Sequence, residues 1–109
     1  MRSEHGTIEG DLRLPESLQL HGFVTGAVTV PGNTTLVLHG LVGKHLVVER
    51  GGEAIIHGMV NGDVSNDGGV VSVYGMINGA VHNQSGTTVL YPKAVVKGAV
   101  VGNVTRLEG

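Results

Sequence analysis

The stretch His57-Gly58-Met59-Val60-Asn61-Gly62-Asp63-Val64 decides the reading of this chain, because it is one copy of a phrase that returns along almost the whole sequence. His5-Gly6-Thr7-Ile8-Glu9-Gly10-Asp11-Leu12 opens the series, and His21-Gly22-Phe23-Val24-Thr25-Gly26-Ala27-Val28 follows it. His39-Gly40-Leu41-Val42 starts the third copy, and Tyr74-Gly75-Met76-Ile77-Asn78-Gly79-Ala80-Val81 is the fifth. The first residues of these copies lie 16, 18, 18 and 17 positions apart. A degraded sixth copy carries Val95, Lys97-Gly98 and Val100 in the same relative places to within one residue. A fixed period of this length marks stacked repeats, each too small to bury a core alone.

Within a repeat the apolar residues alternate, as in Leu18, Leu20, Gly22, Val24, Gly26, Val28 and Val30. A period of two means strands with one face buried. Turn residues recur at Pro31-Gly32-Asn33, Arg50-Gly51-Gly52, Asn66-Asp67-Gly68-Gly69 and Gln84-Ser85-Gly86. Each repeat therefore reads as three short strands and a wider corner. The whole chain, residues 1–109, reads as one all-β domain with no separate linker or tail: a parallel β-helix, or β-solenoid, of about six coils of about 18 residues. Val24, Val42, Val60, Ile77 and Val95 are expected to stack in its core. At about 4.8 Å per coil the rod should be roughly 25 to 30 Å long. The recurring glycines are expected where φ is positive or where the interior has no room for a Cβ.

Composition agrees and excludes several functions. The 109 residues include 19 Gly and 19 Val against 1 Phe, 2 Tyr and no Trp, a poor mixture for helices. A net charge of −2 offers no basic footprint for nucleic acid. The absence of Cys removes disulfides and thiolate chemistry and fits a reducing, cytoplasmic setting. No apolar run approaches the roughly 20 residues that span a bilayer, and Met1-Arg2-Ser3-Glu4-His5 does not read as a signal peptide.

The beat G-x-[VI]-x-G-x-[VL], from His5-Gly6-Thr7-Ile8-Glu9-Gly10-Asp11-Leu12 through Val81, resembles the bactofilin domain, a bacterial cytoskeletal module. The resemblance implies a right-handed, three-sided β-helix that polymerises without nucleotide, and no cofactor. Members of that family commonly carry polar or Pro-rich tails and often a short membrane-targeting segment. This sequence opens on the first coil, so membrane attachment is not carried over.

Three groups of residues stand out. His5, His21, His39 and His57 occupy one equivalent position, with Tyr74 in the fifth copy, which predicts a ladder with about 4.8 Å between rungs. His21, His39 and His57 are the metal candidates, but no carboxylate recurs beside them as a supporting partner, and the simpler reading is a stacked polar corner. Next to each inward residue lies another apolar one: Phe23, Leu41, Met59, Met76 and Ala94, with Val37 and Ile55 two positions before a ladder residue. Alternation sends these to the outer surface as a lateral interface, unless a bend at the glycine draws them into a wide core. At the rod ends, Ile8 and Leu12 on one side and Val100, Val101 and Val104 on the other are the end-to-end interface, because a terminal coil leaves its backbone edge open and little sequence is present to cover it. Charge is uneven too, with Glu4, Glu9, Asp11 and Glu16 against Arg2 and Arg13 in the first coil, and Lys93, Lys97 and Arg106 against Glu108 in the last.

These features favour a structural protein that acts through assembly, with itself or another protein as partner. Two alternatives remain: a small solenoid adaptor or toxin-neutralising protein binding one partner through the lateral apolar face, and a hexapeptide-type left-handed β-helix enzyme, an acyltransferase or metal-dependent hydratase. The last needs inserted loops and usually an added helical segment, neither of which the sequence contains. No catalytic residue is assigned.

Overall fold

The computed structural model describes residues 2–107, and these contain strands and turns but no helix. The chain winds through about six coils, and every strand pairs in parallel with the equivalent strand of the coil before or after it. This is a β-solenoid with three faces. The first is built by Arg2–Glu4, Leu18–Leu20, Thr35–Leu38 and Glu53–Ile56, the second by Thr7–Ile8, Phe23–Val24, Leu41–Val42, Met59–Val60, Met76–Ile77 and Val95–Val96. Leu12–Arg13, Val28–Val30 and Leu46–Glu49 build the third. In the later coils three long strands, Val64–Val73, Val81–Leu90 and Val100–Arg106, run along the third face and around the corner onto the first. The molecule measures 33 × 24 × 22 Å, slightly longer than the sequence predicts because the first face carries a seventh strand.

Equivalent positions stack on one another. Leu20, Leu38, Ile56, Val73 and Leu90 form one inward column, and Val28, Leu46, Val64 and Val81 another. All but Leu90, at 4% exposure, are fully buried. Each buried aliphatic side chain withdraws from water surface worth about 1.5–3 kcal/mol, and a single coil cannot supply that cover without the coils above and below it.

The inward residue of the sixth coil is Val96, not Val95. Val96 pairs with Ile77, whereas Val95 pairs with Met76 and is 44% exposed. Pro92 and Lys93 are an insertion relative to the fifth coil, and they displace the alternation from the count that places Val95 inside. Val95 therefore takes the outer place expected for Ala94, while Ala94 packs against the core.

The glycines after His21, His39, His57 and Tyr74 are there for lack of space, not for positive φ. A Cβ on Gly22, Gly40, Gly58 or Gly75 would overlap the carbonyl oxygen of the equivalent glycine one coil earlier. Positive φ appears instead mainly at the corner between the third and first faces, at Asn33, Gly51, Gly68 and Gly86. The corner between the second and third faces is closed by side chains: Asp11, His45 and Asp63 accept hydrogen bonds from the backbone N–H of Ala27, Asp63 and Ala80 in the next coil. Inside the third-to-first corner, Asn66 and Asn83 take the inward positions held by Val30 and Val48 in earlier coils. Asn66 Nδ2 donates to Gly69 O, Thr87 O and Thr88 Oγ1, and its Oδ1 accepts from Gly69 N–H. Thr88 Oγ1 donates to Asn83 Oδ1 at 2.9 Å, so the buried network is satisfied.

Candidate functional site

Three surfaces collect the residues that the sequence singles out. Along the corner between the first and second faces, His5, His21, His39, His57 and Tyr74 stack with centroid separations of 4.8, 4.7, 5.1 and 4.7 Å and nearly parallel planes. Tyr91 adds a sixth ring, 4.0 Å from Tyr74. Its signal was its spacing, 17 residues after Tyr74, just as Tyr74 follows His57 by 17. The missing glycine and the insertion after it disguised the repeat.

Face-to-face stacking sets the imidazole nitrogens of neighbouring rungs side by side, without aiming them at a common point. Among the described residues no three His, Asp or Glu side chains group to hold a metal ion, and His21, His39 and His57 lie in a line along the rod. Desolvation by the packed neighbours, then the charges of His39 and His5, hold the His21 pKa below its ordinary value of 6.5. Gln19 also stands near that ring, its Oε1 3.4 Å from Nε2.

Beside the ladder on the second face, Phe23, Leu41, Met59 and Met76 are half-buried and stack in register, and Val95 continues them. On its other side Val37 and Ile55 pair with each other on the outside of the first face, also half-buried. The second face thus carries its apolar column on the outer surface, since Val24, Val42, Val60 and Ile77 fill the interior at full burial. A shallow trough of about 430 Å³ lies over Gly40, Gly58 and Gly75, lined also by His57, Met59, Met76, Lys93 and Val95.

The ends of the rod differ from its middle. Ile8 and Leu12 at one end, and Val96, Val100 and Val104 at the other, face the core but are only partly buried. Val101 lies in the terminal coil but faces outward on the third face, paired with His82 and 50% exposed. The first end holds a concavity of about 280 Å³ lined by Ile8, Leu12, Leu18 and Pro15 with Arg2, Glu4 and Glu16. The other end holds one of about 170 Å³ whose lining includes Leu90, Ala94, Val96 and Arg106. Register gives the reason for the charged linings: Arg2 and Glu4 pair with Leu18 and Leu20, and Arg106 pairs with Leu90. Three charged residues thus occupy inward positions, all of them in terminal strands. The Glu108 charge noted in the sequence lies outside the described residues.

No family model, curated protein or solved structure matches the chain. Among the described residues no helix is long and apolar enough to cross a membrane.

Proposed function

We propose that this chain is a non-enzymatic structural subunit, bactofilin-like, that self-assembles end to end into filaments without nucleotide. The observation that supports this reading is the state of the terminal coils. Ile8, Leu12, Val96, Val100 and Val104 face inward yet remain partly exposed, while the equivalent residues of the inner coils are buried. Parallel edge strands beside an uncovered apolar surface pair readily with another chain. A second coil stack would both cover the side chains and satisfy the backbone groups. Electron microscopy of the purified protein without nucleotide tests this, with filaments about as wide per strand as the 24 × 22 Å cross-section of the rod as the expected outcome. Particles of one fixed size across the accessible concentration range would count against it.

The lateral strip supports a second reading, a small adaptor that binds one protein partner through Phe23, Leu41, Met59, Met76 and Val95. Outward thioethers adapt readily to a partner surface. The two readings part on mutation. Val100→Asp should suppress self-assembly under the first, whereas Met59→Asp with Met76→Asp should leave filaments intact.

A further inference from the structure

We infer that two copies of this chain pair side by side through their second faces, with the rods running in opposite directions and Glu9 of each copy meeting Lys97 of the other. The pairing does not depend on the end-to-end reading and adds a lateral contact to it.

The outward surface of the second face carries two columns. One is the apolar strip of Phe23, Leu41, Met59, Met76 and Val95. The other follows two residues later at Thr25, Gly43, Asn61, Asn78 and Lys97, each donating its backbone N–H to the carbonyl of the inward residue one coil before it. Glu9 holds the same place in the first coil. Asn78 Nδ2 donates to Asn61 Oδ1 at 2.9 Å and lies 3.5 Å from Met59 Sδ, which ties the two columns together. Charge enters them only at their ends, with Glu9 in the first coil and Lys97 in the sixth, both exposed. The four coils between have no charge to desolvate, as the centre of an interface requires. The area suffices as well. One face of a rod of 33 × 24 × 22 Å spans at most about 800 Å² per copy, so a pair covers up to about 1,600 Å² in total, the size of a standard specific interface.

The order of the charges sets the orientation. A half-turn about an axis lying across the face lays the apolar strip on its copy and the polar column on its copy, and it reverses the order of the coils. The first coil then meets the sixth, and Glu9 faces Lys97 at both ends of the pair. Asp11, whose carboxylate accepts from the Ala27 N–H, stands beside Glu9 and adds to the acidic side of that contact. The third coil meets the fourth, which brings Lys44 towards Asp63 at the adjoining corner. Asp63 Oδ1 is held by the Ala80 N–H, and its Oδ2 lies 4.0 Å from His82 Nε2. On the ladder side Lys93 comes opposite His5. A half-turn about an axis along the rod does less: with the apolar strips overlaid, it puts the two polar columns on opposite edges, and Glu9 and Lys97 find no partner across the contact.

Disulfide capture tests the pairing, since the chain has no cysteine. Thr25→Cys and Asn78→Cys, in the second and fifth coils, are mixed and oxidised, circular dichroism confirms that each folds, and mass spectrometry identifies the linked products. The mixed product should dominate, because in a reversed pair two copies of one variant hold their cysteines three coils apart, about 14 Å and beyond the reach of a disulfide. Adding Met59→Asp and Met76→Asp to both variants should abolish capture. In sedimentation equilibrium, Glu9→Lys or Lys97→Glu alone should raise the protein concentration needed for pairing at least about tenfold, and the two changes in one chain should restore it. Self-linked products as abundant as the mixed one, or a doubly altered chain no better than either single variant, would overturn the reversed orientation. Single-stranded filaments without capture would overturn the pairing and leave the end-to-end reading standing. Capture in particles that never exceed a pair would support the pairing and overturn the end-to-end reading.

Discussion

Two of the rod's corners are built from ladders of like residues, one outside the core and one inside, and they obey different rules. At the corner between the first and second faces the rings stand at the surface, and imidazole gives way to phenol at Tyr74 and Tyr91 without breaking the stack. At the corner between the third and first faces Asn66 and Asn83 lie inside, and nearly all their hydrogen-bonding capacity is spent on Gly69, Thr87, Thr88, Gly86 and Asn103. Solvent forgives exchange among flat polar rings. A buried amide must have its partners supplied in place, and so the asparagine ladder is confined to coils whose backbone bends to meet it.

Replacing Asn66 by Val, the residue type of the two earlier coils, should have the largest effect of the changes considered. It strips the partner from the Gly69 N–H and removes a donor from Thr87 O and Thr88 Oγ1, an expected loss of about 2–4 kcal/mol in urea unfolding. A variant of unchanged stability would show the two corners to be equally tolerant. Gly40→Ala comes next, testing the track beside the rings: its Cβ overlaps the Gly22 carbonyl, and the required backbone shift should cost about 1–3 kcal/mol in the same measurement.

Acid separates the ladders more finely. A folded-state His21 pKa below 6.5 means that the unfolded chain binds more protons in the window below that value, so stability is complete above about pH 6.5 and falls as the pH drops through the depressed value. Replacing His21, His39 and His57 together by Gln should flatten this slope, whereas Asn66→Val should shift the curve without flattening it. An unaltered slope in the triple variant would assign the acid response to carboxylates. The smallest effect is expected from His39→Tyr, which copies a substitution the ladder already contains; thermal unfolding should move by no more than the equivalent of about 0.5 kcal/mol.

The outer ladder was legible in the sequence and the inner one was not. His5, His21, His39 and His57 recur beside a glycine at regular spacing, and alternation fixes their side of the strand. Asn66-Asp67-Gly68-Gly69 has the chemistry of a turn and invites that reading, yet the strand Val64–Val73 continues through it with irregular register. Only the equivalence of Asn66 to Val30 and Val48 marks it as an inward residue. The same kind of count, 16 residues back from Leu20 and 16 on from Leu90, would have placed Glu4 and Arg106 in the core columns, but charged side chains near chain ends are ordinarily read as solvated. Pro92-Lys93 shifted the alternation and concealed both Tyr91 and the inward role of Val96.

The parallel register, in which each strand bonds to the strand one coil away, also sets how the molecule would bear a load. Tension applied between the first and last coils acts on a row of rungs in series, and only the outermost rung has a free edge. Such a rod would peel rather than shear, surrendering one winding at a time from an end. Each winding of about 18 residues would add roughly 60 Å of slack, giving a tether that lengthens in even steps.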